Sequence, residues 1–268
     1  MFWAELLVAG LFGLLIGSFL NVCIFRLPYD LSVSTPRSFC PQCEKTIAWY
    51  DNVPVLSYLL LRGKCRNCGY GIHWRYPFVE LLTGAAFVSA IAQFQLTGEA
   101  VKLMVFSALT IVCIFTDFAE RILPDEITLG GTVAGLVGAY LVPIAPPRFL
   151  DIFLFEQGWS ETTLSLIESA FGALFPSVTI YLVGEIYFRL RKREGLGFGD
   201  VKLIAMFGAF YGFSPTLVTL LIGSLVGAIG SLVYLRLAKQ DSTTYELPFG
   251  SFLGIVALGV QHAAFLNR

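Results

Sequence analysis

Apolar residues in this chain neither alternate nor recur along one helical face; they come in long runs separated by short polar stretches. A bilayer's hydrocarbon core asks for about 20 mostly apolar residues per crossing helix. Eight runs meet that pattern, at residues 2–25, 77–96, 100–118, 126–143, 164–189, 200–213, 216–236 and 248–266. The sixth is short for a crossing. Residues 26–75 form the one polar loop long enough to fold as an extramembrane module. Residues 143–163 mix proline, acids and aromatics, and Phe149, Phe153, Phe155 and Trp159 there suit a headgroup boundary. No internal repeat and no low-complexity tract interrupts this order.

Composition agrees with the pattern. Hydrophobic residues make up 56% of the chain and charged ones 14%, at a mean hydropathy of +0.73, whereas soluble domains carry about a quarter charged residues. The expected fold is an all-α polytopic membrane protein of about eight transmembrane helices with a small zinc-binding cytoplasmic loop domain. Its parts are the first helix (1–25), the loop (26–75) and a transmembrane domain (76–268). Residues 1–25 carry no basic residue ahead of the apolar run and no small-residue cleavage site, so this segment is expected to stay as the first span. With the N-terminus outside, 15 of the 18 lysines and arginines fall on the cytoplasmic side. Only Lys102, Arg148 and Arg268 fall outside, and cytoplasmic loops are the ones enriched in basic residues. Membrane lipid is the expected surrounding, nothing calls for nucleic acid, and no motif speaks to the oligomeric state.

The loop holds four of the six cysteines, as two CxxC pairs, Cys40/Cys43 and Cys65/Cys68, with 21 residues between them. Two thiolates on one tight turn can face a single metal, and two such turns close a four-sulfur zinc site. A loop this small lacks a hydrophobic core, so the metal supplies its folding energy. Two disulfides or a redox CxxC are the competing readings; a reducing cytoplasm disfavours the first, and the paired repeat argues against a lone redox motif. Cys23 and Cys113 lie in apolar runs and read as packing residues; neither His73 nor His262 has a partner motif.

Ionisable groups inside a span cost about 2.5–3.5 kcal/mol each on insertion scales, which makes them functional candidates. Those singled out are Glu5, Glu80, Asp117, Glu185 and Asp200. Asp200 ends the run Gly195, Gly197, Gly199, Asp200, where glycines let another chain come close. A helix-capping role is the ordinary alternative for Asp200. Asp117 lies at the inner end of the third span, on the same membrane side. Glu120 and Asp125 are rivals for the partner role, the first readable as a solvated charge and the second as a first-turn acid of the next helix. Glu80 and Glu185 read as buried structural acids. Two carboxylates that share one proton can polarise a peptide carbonyl and activate water together. No Ser/His/Asp or Cys/His set and no HExxH helix competes.

Taken in order, these blocks resemble the bacterial type IV prepilin peptidases. The resemblance rests on residues 17–22 (GSFLNV) with Arg26 and Pro28, the paired knuckles, residues 49–54 (WYDNVP), residues 75–84 (RYPFVELLTG), Asp117 with residues 123–125 (LPD), and residues 194–203 (EGLGFGDVKL). It implies a GxGD-type aspartyl protease with Asp117 and Asp200 as its catalytic pair. Such enzymes cut the basic leader from prepilins or type II secretion pseudopilins at the inner membrane's cytoplasmic face, after a glycine. They then N-methylate the new terminus with S-adenosylmethionine. The zinc loop accompanies the bifunctional members, and Gly63 and Lys64 match methylation-linked positions. Glu120, Asp125, Glu126 and Glu194 are the acids placed to receive a basic leader. One departure, Ser251 where the family commonly has proline, is expected to lie clear of the catalytic pair.

Three other readings stay open on the sequence. A zinc-capped transporter would use the acids as an ion relay but should show an inverted repeat. A presenilin-like protease shares GxGD but lacks the zinc loop. A peptidase without methyltransferase activity is also compatible with the motifs.

Overall fold

The structure is a computed structural model that describes residues 2–154, 158–192, 197–238 and 248–263. Among the described residues the regular secondary structure is helical, apart from two single antiparallel bridges, Phe39 with Thr46 and Lys64 with Gly71. The chain forms two compact units, Met1–Val112 and Cys113–Arg268.

The first unit contains α1 (Phe2–Arg26), α2 (Leu56–Leu60), α3 (Arg75–Phe94) and the greater part of α4 (Gly98–Glu120). Helices α1 and α3 touch backbone to backbone. A methyl group on Gly13 would lie 2.7 Å from Gly84 Cα, and one on Gly17 would lie 2.7 Å from Glu80 Cα. Small residues four apart permit this contact, which is how apolar helices gain packing energy in lipid. Asn21 then ties the pair by donating from Nδ2 to Tyr76 O at 3.0 Å. At the end of α1 the buried Arg26 guanidinium donates to Ser32 O and Pro36 O, fixing how the polar loop leaves the helix.

The second unit contains the end of α4 and then α5 (Asp125–Leu141), α6 (Asp151–Leu154), α7 (Glu161–Arg191), α8 (Phe198–Tyr211), α9 (Phe213–Ala238) and α10 (Phe249–Ala263). Helices α5, α7 and α8 cross at small residues: a methyl on Gly135 would be 2.8 Å from Ala209 Cβ. Ser165 donates to Ala139 O and Ser169 donates to Ala209 O. These hydroxyls satisfy themselves on neighbouring backbone, so the apolar interface carries no orphaned polar group there.

Each of the eight expected spans contains a helix, and among the described residues five helices are long and apolar enough to cross a membrane: Phe2–Tyr29, Arg75–Phe94, Gly98–Glu120, Glu161–Arg191 and Phe213–Val233. Helices α5, α8 and α10 have 17, 14 and 15 residues. At 1.5 Å per residue, fourteen residues reach about 21 Å, short of a core of about 30 Å. The chain is thus a multi-pass membrane protein with five helices of full spanning length among its described residues.

The described part of residues 143–163 is held by more polar contacts than its sequence suggests. Arg148 is buried, donates to Ile144 O and pairs with Asp151 and Glu161. Phe149 turns into an aromatic cluster with Phe171 and Phe213 instead of facing headgroups, whereas Phe153 and Trp159 are exposed as expected. Phe155 lies outside the described residues. Glu168 of α7, which the sequence reading passed over, is fully buried and accepts from Leu150 N at 3.0 Å and Phe213 N at 2.9 Å. The rule that singled out the other span carboxylates applies equally to it.

Candidate active site and metal centre

The cysteine loop is built from two matching turns. In the first, Cys40 N–H donates to Lys45 O and Glu44 N–H to Cys40 O; in the second, Cys65 N–H donates to Tyr70 O and Gly69 N–H to Cys65 O. Each turn ends in a left-handed residue, Glu44 and Gly69. The four sulfurs of Cys40, Cys43, Cys65 and Cys68 all lie within 4.8 Å of one another. Cys40 Sγ and Cys68 Sγ are 3.7 Å apart. Four thiolates at about 2.3 Å from zinc stand about 3.8 Å from each other, so the cluster fits the ion. Backbone N–H groups of Cys68 and Asn67 point at the Cys65 sulfur and bring its thiol down to about 7, favouring the thiolate a metal needs. The other cysteines, Cys23 and Cys113, are buried packing residues.

Further tethers hold the loop. Arg66 grips Asp51 with Nε and Nη2, its guanidinium over the Tyr50 ring. Glu80 Oε2 accepts the Val55 N–H at 2.8 Å, a structural role of the kind its sequence suggests. Gly63 sits at φ +66° with its N–H on Tyr58 O, a turn in which a side chain would meet Tyr58. Lys64 beside it is exposed.

The second site is assembled from three helices. Asp117 lies in the last turn of α4, where Arg121, at φ +58°, donates to Asp117 O and Phe118 O and stops the helix. Asp200 is the third residue of α8, after Gly197 as N-cap, so it is not itself the cap. Its carboxylate bonds back to the Gly197 backbone, as an acid at that position can. Both aspartates are buried, with 6% and 9% of their surface exposed. A methyl group on Gly250, at the start of α10, would lie 3.2 Å from Asp200 Oδ1 and 3.3 Å from Asp117 Cγ. One glycine thus separates two carboxyl groups 83 positions apart in the chain. Leu123 closes the floor, 3.0 Å from that same position.

Residues 11–94 match the family of bacterial peptidase A24 N-terminal domains, and residues 104–232 match the type IV leader peptidase family. The prepilin leader peptidase/N-methyltransferase of Myxococcus xanthus is 38% identical over 89% of this chain and 67% of its own length. The Type 4 prepilin-like proteins leader peptide-processing enzyme of Escherichia coli is 34% identical over 91% and 88%, and the Legionella pneumophila prepilin leader peptidase/N-methyltransferase is 31% identical over 96% and 90%. The chain belongs to the type IV leader peptidase family. No solved structure matches it.

For a member of this family the remaining sequence candidates separate cleanly. Asp125 is exposed and forms an ion pair with Lys202. Glu120 and Glu126 are exposed. Glu185 is not a buried acid: it lies partly exposed, paired with Arg189 one turn on. Gly199 packs against Leu123, where a side chain would sit at 3.2 Å, while among the described residues a methyl on Gly197 meets Asp200 Oδ2, at 3.5 Å. Gly195 and Glu194 lie outside the described residues. Ser251 does not lie clear of the site. Its N–H donates to Asp117 Oδ2 at 2.6 Å and its hydroxyl to the same oxygen at 2.7 Å. The departure from the family pattern was visible in the sequence; that it touched an aspartate 134 positions away was not.

Proposed function

We propose that this protein removes the basic leader from type IV prepilins or type II secretion pseudopilins at the cytoplasmic face of the bacterial inner membrane. It then N-methylates the new terminus. The observation that carries the reading is the position of Gly250 between two buried carboxyl groups, in a chain whose relatives are named for both reactions. Asp117 and Asp200 are the catalytic pair. The ionised one takes a proton from water as its oxygen adds to the scissile carbonyl carbon, and the protonated one donates to the carbonyl oxygen. Collapse breaks the C–N bond, and the amine leaves with a proton.

Eight crossings with the N-terminus outside place both sites on the basic, cytoplasmic side. The short α8 supports this reading, because a helix that does not fill the bilayer leaves its Asp200 end near water. Residues 26–75 act as the zinc-binding domain and residues 76–268 as the protease domain. Glu120, Asp125, Glu126 and Glu194 receive the leader's lysines. The backbone freedom of Gly195, Gly197 and Gly199 leaves room for the extended chain. The four cysteines hold structural zinc. S-adenosylmethionine supplies an electrophilic methyl group when bound. Exposed Lys64 offers its ammonium to a carboxylate such as the one that cofactor carries, and Gly63 sets the turn that presents it.

Incubating purified protein with a prepilin peptide in detergent and weighing the products tests both reactions. The expected masses show leader loss and one added methyl. Asp117→Asn and Asp200→Asn should each reduce cleavage by about three orders of magnitude or more, and the double variant should be no worse than either, since the pair acts as a unit. Asp125→Asn retains cleavage. Substantial turnover by either single variant overturns the assignment.

A further inference from the structure

Ser251 gives Asp117 two donors on one oxygen, and its hydroxyl has a second place to go. Ser251 Oγ lies 2.7 Å from Asp117 Oδ2 and 2.9 Å from Ile114 O, one turn earlier on α4. A hydroxyl has a single hydrogen and two lone pairs, so it can serve only one of these acceptors at a time. We propose that Ser251 is a positioning residue for Asp117, one that keeps the carboxyl hydrogen-bonded in both of its protonation states. The inference rests on Asp117 being catalytic.

When Asp117 is ionised, the Ser251 O–H points at Oδ2 beside the Ser251 N–H. After Asp117 takes a proton from water on Oδ2, that new O–H donates to Ser251 Oγ, and the serine hydrogen turns to Ile114 O. No heavy atom has to move, and no bond is made or broken beyond the proton transfer itself. Ser251 is 2% exposed, so a carboxyl that lost its partner there on changing charge would meet the cost of an unsatisfied buried group. Position 251 suits the task because it is the third residue of α10. Its N–H belongs to the first turn and has no carbonyl of its own helix to bond. Other charged or titratable groups around Asp117 are Asp200 from α8 and Arg121 and Cys113 from its own helix. The first-turn acid of α5, Asp125, is engaged by Lys202. Among these contacts only Ser251 both donates to the Asp117 carboxylate and has a second acceptor.

The test is a series at this position in the full-length enzyme, with a prepilin peptide as substrate. Ser251→Ala removes the hydroxyl and keeps the N–H; kcat for cleavage should fall about tenfold, as the loss of one hydrogen bond to a charged group does, with KM unchanged. Ser251→Thr restores the hydroxyl and should recover most of that loss. Thermal melting in detergent identifies any variant that has unfolded, and the Ala/Thr comparison decides the case. Ala turning over like wild type, or Thr no better than Ala, overturns the proposal. Asp117→Asn in the same assay separates the two ideas: if it cleaves well, the aspartate assignment has failed; if it is inactive while Ala is unaffected, only the role of Ser251 has.

Discussion

The two sites of this protein are made in opposite ways. Cys40, Cys43, Cys65 and Cys68 converge through two local turns, each closed by its own backbone hydrogen bonds. Almost nothing apolar is buried around them: Cys68 is exposed and Cys43 and Cys65 are half-buried. Asp117, Asp200 and Ser251 converge only because α4, α8 and α10 pack, and all three are buried. A site folded by its ligand should fail when the ligand is withdrawn, and one folded by helix packing should fail when a small residue at a crossing grows. Each kind of damage should leave the other site working.

Withdrawing metal gives the largest effect. Metal analysis should find close to one zinc per chain, and Cys40→Ser or Cys68→Ser should lose it. Because binding and folding are one event in such loops, methylation of an already cleaved pilin peptide should disappear, while leader cleavage by the same preparation falls far less. Equal loss of both reactions would break the comparison, and finding iron, or no metal in protein prepared without chelator, would refute the zinc site.

A smaller effect is expected from one methyl group at the packed site. Gly250→Ala puts carbon against Asp117, Asp200 and Leu123 at 3.0–3.3 Å, so the carboxyl groups must shift by a few tenths of an ångström. Misplacement on the ångström scale costs about a hundredfold in rate. Somewhat less than that should be lost from kcat for cleavage, with zinc content and methylation intact. Gly197→Ala is the contrast, since among the described residues its methyl meets no neighbour closer than 3.5 Å. It should spare kcat and raise KM if the glycine run receives the substrate chain; an unchanged KM would remove Gly197 from that passage.

The same contrast explains what could be read from the sequence. Paired CxxC turns are a local pattern, and the thiols fall where their spacing puts them. Helix existence was legible because apolar runs are long, and so was the shortness of α8, which ends at Gly212 with φ +79°. Asp117 and Asp200 stood out as costly charges in spans. Glu168 meets the same rule but was not singled out, and its partners, the backbone N–H groups of Leu150 and Phe213, carry no sequence signal. Ser251 was visible only as a departure from proline, and the hydrogen bonds that make it matter span 134 and 137 positions of the chain.

The smallest effect lies at the edge of the metal loop and sharpens how much of that loop the metal alone sustains. Asp51 and Arg66 form a bidentate pair linking residues 49–52 to the second knuckle, with side chains 11% and 56% exposed. Hydrogen bonds from Arg66 hold the Asp51 carboxyl below its usual range. A depressed acid contributes stability that is fully present above its unfolded value, near 3.9, and is lost only as pH falls through the lower folded value. The pair is solvated on the Arg66 side, and exposed pairs contribute little. Asp51→Asn should therefore lower methylation by no more than roughly twofold, with zinc retained. Because both partners stay charged well above the titration, the gap between variant and wild type should hold constant from about pH 6 to about pH 8. A gap that opened or closed across that interval would assign the effect to another titrating group, and a loss as large as that of Cys40→Ser would mean that the tether, and not the metal, folds the loop.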